Sequence, residues 1–335
     1  MRCVALSSEA RCSTRSPRPP APSPACSRGG DPCAQNGTRR RRSASTCGAA
    51  AARVGRPRWG AKPHPVGVRR PGHRFLELPT PVAIAHRGGA EEAPENTIEA
   101  FGAAVALGYR YVETDAHVTR DGVVVAFHDP SLDGITDRTG AIADLGIAEV
   151  EAADAGFTFS PDGGRSHPFR GCGVRVPRLE ALLARWPHVR VNIDPKDDAC
   201  VEPLVALLDR LDAWERVNIG SFSDRRLTRI RALSRGRACT SMGPRAVAVA
   251  RAASLCGRMP AQGAECVQVP IRARGVRIVT AGFVRAAHRA GLHVHVWTVN
   301  DPATMHELLE LGVDGIMTDR PRVLREVLAE RGVSL

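Results

Sequence analysis

The chain has 335 residues, with 47 Lys and Arg against 35 Asp and Glu, a net charge of +12. The excess lies in residues 1–80, where 16 basic side chains meet only Glu9, Asp31 and Glu77, so the remaining 31 basic and 32 acidic residues nearly balance. A basic nucleic-acid-binding domain is therefore not expected for the body of the chain, and no run approaches the roughly 18–20 apolar residues of a membrane span.

Residues 1–75 are dense in Arg, Pro, Ser, Gly and Ala and include the block Arg39-Arg40-Arg41-Arg42. Such a composition buries too little apolar surface to offset the entropy of ordering, so a disordered basic tail is expected. Three readings of it stand side by side: an arm for nucleic acid or anionic lipid, an Arg- and Ser-rich transit peptide, or a start codon assigned too far upstream. Ser7, Ser8, Glu9 and Arg11 interrupt what would be the apolar core of a secretory signal. The ten cysteines include no CxxC pair, which argues against a zinc site or disulfide framework and for a reducing compartment. The body alone reads as cytoplasmic, and nothing in the sequence bears on oligomeric state.

Beyond residue 80 short β-branched runs alternate with helical stretches. The expected strands are 82–86, 110–115, 123–128, 189–194, 216–221, 266–269, 292–298 and 315–318. Between them fall expected helices at 96–107, 177–185, 201–211, 224–233, 244–255, 280–290, 302–311 and 321–331. Asn96, Asp224, Thr280 and Pro302 suit helix starts. Eight such units predict an α/β fold, a (β/α)8 TIM barrel over residues 76–335, a length typical of that fold. Residues 130–176 break the alternation and read as an inserted small subdomain.

Charged residues cluster where the expected strands end. His86-Arg87 follow the run from Val82, Glu113 and Asp115 share one strand face, His128-Asp129 follow Val123–Phe127, and Asp194 and Lys196 close the run from Val189. Trp297 ends the run from Leu292. In a parallel barrel all these ends converge on one rim, where active sites are built. Three hard oxygen donors (Glu113, Asp115, Asp194) without thiolates suit Mg²⁺ or Ca²⁺. Arg87 and Lys196 would offset phosphate charge, and His86 and His128 could move protons near neutral pH. The inventory describes metal-assisted phosphodiester cleavage of a small-molecule substrate. His288, His293, His295 and His306 read as surface or core residues, Asp314 and Asp319 as shapers of the last βα turn, and Arg225-Arg226 as a solvated helix face.

At this point the sequence resembles a known family. His86-Arg87-Gly88-Gly89, Pro94-Glu95-Asn96-Thr97, Glu113-Thr114-Asp115 and Phe127-His128-Asp129 resemble, in order and spacing, the glycerophosphodiester phosphodiesterases. So do Asn192-Ile193-Asp194-Pro195-Lys196, Val296-Trp297-Thr298-Val299-Asn300 and the run from Asp314 to Pro321. The resemblance spans about residues 82–328 and implies a (β/α)8 barrel, with the insertion at 130–176 between its second and third barrel strands, that releases glycerol phosphate and an alcohol with one divalent cation. It implies that Glu113, Asp115 and Asp194 hold the cation, that His86 and His128 form the acid–base pair, and that Arg87 and Lys196 grip the phosphate. The family often has Glu where Asp194 stands, which implies an altered metal distance and a retained site. An alternative within enzymes is a lysophospholipase D or a phospholipase-C-like phosphodiesterase, for which Phe157, Phe159 and Phe169 could line an acyl entrance; their other reading is a small core of the insertion. Trp297 could pack on glycerol or be buried in the barrel. A catalytically silent barrel would be expected to have lost His86, His128 or a carboxylate, and all are present.

Overall fold

The computed structural model describes residues 73–335, so the expected disorder of the basic tail lies, but for its last three residues, outside the described residues. Strand β1 (Val82–Ala85) is apolar and buried throughout, as a parallel strand covered by helices must be. It leads through a turn to α1 (Ile98–Ala106), whose cap is Thr97, accepting from the Ala100 N–H. The expected start at Asn96 is two residues early, because Asn96 takes a left-handed conformation (φ 57°) and turns its side chain to the rim. Next comes β2 (Tyr111–Val118), and the chain then folds straight back as β3 (Val124–Ala126).

The expectation of a barrel strand at 123–128 is corrected here: β3 pairs antiparallel with β2, Ala116 opposite Ala126. The turn between them is too short for the crossover that a parallel neighbour needs. The insertion follows, with a short helix α2 (Ile147–Glu151) and its own core of Val125, Phe127, Leu132, Ile142, Val150 and Val174 among others. Phe169 packs on that core and meets Phe159 edge to face at 5.4 Å, while the Arg170 guanidinium covers Phe157. The three phenylalanines are thus engaged within the insertion.

The alternation resumes with α3 (Leu179–Arg185), β4 (Arg190–Pro195), α4 (Val201–Arg210), β5 (Val217–Ile219) and α5 (Asp224–Leu233). Then come β6 (Cys239–Thr240), α6 (Pro244–Ser254) and β7 (Cys266–Pro270). A two-stranded excursion, β8 (Arg272–Ala273) and β9 (Val276–Arg277), precedes α7 (Ala281–Arg289). The chain ends with β10 (His293–Trp297), α8 (Pro302–Leu311), β11 (Gly315–Thr318) and α9 (Pro321–Glu330). The two-residue β6 is the barrel strand that the sequence does not announce. The parallel order is β6-β5-β4-β2-β1-β11-β10-β7. The seam between β6 and β7 closes through a Ser241–Cys266 bridge and the bond from the Glu265 N–H to the Thr240 carbonyl (3.0 Å). The fold is the expected (β/α)8 barrel.

Val82, Ile84, Tyr111, Cys239 and Met317 form one core together with Phe75, and a larger core fills the space between strands and helices. Phe75, in a 3₁₀ turn (Arg74–Leu76), is fully buried against the Tyr111 ring at 5.1 Å, and its carbonyl accepts from the Tyr111 hydroxyl. Tyr111 opens β2, so Phe75 plugs the end of the barrel opposite the rim. Phe75→Ala is expected to cost about 3–5 kcal/mol, which for a domain of this size lowers Tm by on the order of 10 °C. A thermal melt unchanged by the substitution would remove Phe75 from the core. Among the described residues no helix is long and apolar enough to cross a membrane.

Candidate active site

At the end of β1 the chain enters a 3₁₀ turn, His86–Gly88, closed by Gly89, and Arg87, Gly88 and Gly89 all have positive φ. Gly88 is required: a Cβ there would lie 2.7 Å from Ala100 Cβ and 2.9 Å from the Phe101 nitrogen, because the turn rests directly on α1. This geometry brings Arg87 onto β2. Its N–H donates to Glu113 Oε2 (3.1 Å), its Nη1 to both oxygens of Glu95 (3.1 and 3.0 Å), and its Nε stands 3.1 Å from Asp115 Oδ2. The Asn96 amide donates to the same Asp115 oxygen (3.0 Å) and is itself held by the Thr114 hydroxyl (2.8 Å).

Asp115 and Asp194 are direct neighbours in the β2–β4 register. Lys196 Nζ stands between them, 2.6 Å from Asp115 Oδ1 and 2.9 Å from Asp194 Oδ2. The second oxygen of Asp194, Oδ1, is buried without a hydrogen-bond partner. Among the described residues no three His, Cys, Asp or Glu side chains stand together as a ligand set.

His86 Nδ1 is 2.7 Å from Asp319 Oδ1, and its Nε2 is 3.8 Å from Glu113 Oε2. Asp319 is fixed in turn by Asn300, whose amide donates to Oδ2 (2.9 Å) and whose carbonyl oxygen accepts from the Asp319 N–H (2.9 Å). Asp319 therefore orients the histidine as well as belonging to the last turn, a correction to its reading from sequence. It follows the barrel strand β11, and the rule that picked out the ends of β1, β2 and β4 applies to it equally. His128, two residues beyond the returning strand β3, comes alongside Asp115 of β2, as the bond from the Phe127 N–H to the Asp115 carbonyl shows (3.2 Å). His128 Nδ1 pairs with Asp129 Oδ1 (2.7 Å), and its side chain is one-third exposed. Its carbonyl accepts from Nε2 of buried His117 (3.0 Å), whose Nδ1 faces Asp197 Oδ2 (3.1 Å). His117 and Asp197 are residues that the sequence reading passed over. Trp297 is half-buried against the inner core and meets the largely exposed Phe222 edge to face at 5.6 Å. His288, by contrast, pairs with Asp314 (2.8 Å), which also accepts from the Val294 N–H at the start of β10, away from the rim.

Three buried carboxylates face two cationic side chains, and the imbalance shows in their titration. Burial, reinforced by the charge of Asp115, pushes Glu113 up to about 7. Burial also raises Asp194, more than Lys196 lowers it. Burial works to raise Asp115 as well, but Lys196 and Arg87 together hold it below the usual range. For His86 burial works downward, and the charge of Glu113 with the bond to Asp319 outweighs it, so the imidazole is raised. A buried, unpartnered carboxylate oxygen beside an overloaded carboxylate is an oxygen-rich, electron-rich setting that fits a hard divalent cation.

The chain matches the glycerophosphoryl diester phosphodiesterase family over residues 86–323. It is 41% identical over 264 residues to the Mycobacterium tuberculosis protein named "Probable glycerophosphodiester phosphodiesterase 2", covering 77% of this chain and 94% of that one. The crystal structure of glycerophosphodiester phosphodiesterase from Agrobacterium tumefaciens superposes with a TM-score of 0.60 at 27% identity, over 73% of this chain and 99% of the other. The Oleispira antarctica phosphodiesterase, solved with the product sn-glycerol-3-phosphate, shares the fold with a TM-score of 0.59 at 22% identity, over 75% and 97% of the two chains. With the barrel, the rim network and these matches together, the chain belongs to the glycerophosphodiester phosphodiesterase family.

Proposed function

We propose that this phosphodiesterase cleaves glycerophosphodiesters to sn-glycerol 3-phosphate and an alcohol, with a divalent cation and a pair of histidines. The observation that carries the reading is the single network of hydrogen bonds and ion pairs joining His86, Arg87, Glu113, Asp115, Asp194 and Lys196 at one end of the barrel. Glu113, Asp115 and Asp194 would hold Mg²⁺ or Ca²⁺, which when bound supplies Lewis acidity to a phosphoryl oxygen and to the attacking hydroxyl. With its Nδ1–H given to Asp319, neutral His86 has Nε2 free to accept the proton of the glycerol 2-hydroxyl as that hydroxyl attacks phosphorus. His128, partly open to solvent, gives a proton to the departing alcohol. Water then opens the cyclic phosphate with the two histidines in reversed roles. Arg87 and Lys196 are the cationic groups within reach of phosphate oxygens at this rim, and Trp297 offers an apolar face to the glycerol carbons.

The test is release of glycerol phosphate from glycerophosphocholine, and of choline from lysophosphatidylcholine, by the full chain with Mg²⁺, Ca²⁺ or EDTA. Turnover of the deacylated substrate that EDTA abolishes is the expected result. Turnover of the lysolipid alone would move the enzyme to the lipid-directed reading, for which Phe157, Phe159 and Phe169, engaged within the insertion, provide no entrance.

A further inference from the structure

Arg225 and Arg226 read alike in sequence, yet the structure separates them. The Arg225 side chain is 83% exposed, whereas that of Arg226 is 13% exposed and points into the rim. Strand β4 runs on to Pro195, but its neighbour β5 ends at Ile219, opposite Ile193. The last bond from that side is the Gly220 N–H to the Ile193 carbonyl (3.0 Å). The carbonyl of buried Pro195 would therefore lack a donor, and a buried unmade hydrogen bond costs about 1–3 kcal/mol. Arg226 supplies it: Nη1 donates to Pro195 O (2.7 Å) and to Ser221 Oγ (3.1 Å), and Nε to Asp198 Oδ1 (3.1 Å). The backbone of Arg226 is held as well, its N–H donating to the cap Ser223 (3.2 Å). One guanidinium thus clamps residues 195–198, the segment that carries Lys196 and follows Asp194, to the turn after β5.

We infer that Arg226 is a positioning residue for the reaction, fixing Asp194 and Lys196 at the rim through the Pro195 carbonyl and Asp198. The inference rests on the roles proposed above for those two side chains. Arg225 is the internal control, since it reaches the same Asp198 from solvent, and such exposed pairs contribute little.

The experiment compares Arg226→Met, Arg226→Lys and Arg225→Met in the full chain on glycerophosphocholine, with thermal melts beside the kinetics. Arg226→Met keeps the apolar stem and removes every donor. A misplacement of about 1 Å can cost 10²-fold, so its kcat is expected to fall about 10- to 100-fold, with KM moving less. Arg226→Lys, with one donor centre for three acceptors, should fall between, millimolar guanidinium should restore part of the Arg226→Met activity, and Arg225→Met should match the unchanged chain. A folded Arg226→Met with kcat within about twofold of the parent, or a loss that cooling below its melting transition fully reverses, overturns the inference. Asp194→Asn separates the two levels. If it is inactive while Arg226→Met is active, only the role of Arg226 falls; if it is active, the assignment of Asp194 falls and the inference with it.

Discussion

His86→Ala is expected to lower kcat on glycerophosphocholine by about 10²- to 10⁴-fold, the range over which a positioned general acid or base acts. The expectation comes from how the imidazole is held. Asp319 takes Nδ1–H at 2.7 Å and is itself pinned by both ends of the Asn300 amide, so the ring has one tautomer and Nε2 is left to accept. Asp319→Asn tests the arrangement more finely. Burial works to lower the pKa of His86, and Glu113 and Asp319 raise it. A cation held on Glu113 would offset that carboxylate's share, leaving Asp319 as the upward influence. A base must be neutral, so the acid limb of kcat/KM follows the pKa of His86, and removing the Asp319 charge should move that limb to lower pH. In the same variant kcat should fall, though less than in His86→Ala, because an amide can present its N–H to Nδ1 and favour the wrong tautomer. An acid limb that stays in place in Asp319→Asn, or moves to higher pH, would show that His86 is not the group titrating there.

Much of this site is legible in the sequence because a parallel barrel converts a local pattern into a global position. Each of His86, Glu113, Asp115, Asp194 and Lys196 stands at the C-terminal end of an apolar run, and all such ends meet at one rim. His128 is brought there by a different route. Its run, Val123–Phe127, is apolar throughout as a barrel strand's is, and only the shortness of the link from β2 betrays an antiparallel return. The two-residue β6 has no periodicity to read; it is a strand because β5 and β7 flank it. Arg226 is the clearest illegible case. Its three acceptors lie on Pro195, Asp198 and Ser221, and its need arises from β5 being shorter than β4. Strand length relative to a neighbour is a property of the sheet, which neither segment carries alone.

Removal of divalent cations should abolish turnover and also lower the stability of the folded chain. Glu113, Asp115 and Asp194 are all buried, while Arg87 and Lys196 supply two positive charges between them. An uncompensated charge out of water costs several kcal/mol, and the group neutralises instead where it can. Glu113, raised to about 7, is where that neutralisation falls, so without a cation a proton takes its place near neutral pH. Asp194 Oδ1, buried and unpartnered, is the second point at which the network lacks positive charge. Binding of Mg²⁺ or Ca²⁺ should therefore release a proton and stabilise the fold, by about 2.7 kcal/mol when the free cation is a hundredfold above Kd. Thermal melts in EDTA and across a cation titration read this independently of activity. Calorimetry in buffers of different ionisation enthalpy reads the proton. Asp194→Asn should weaken the cation-dependent rise in Tm, and Glu113→Gln should reduce the proton release, since the amide has none to give. A Tm and a turnover rate both indifferent to EDTA would mean that Lys196 and a protonated Glu113 are the site's permanent neutralising groups, and that the phosphoryl charge is met by Arg87 and Lys196 alone.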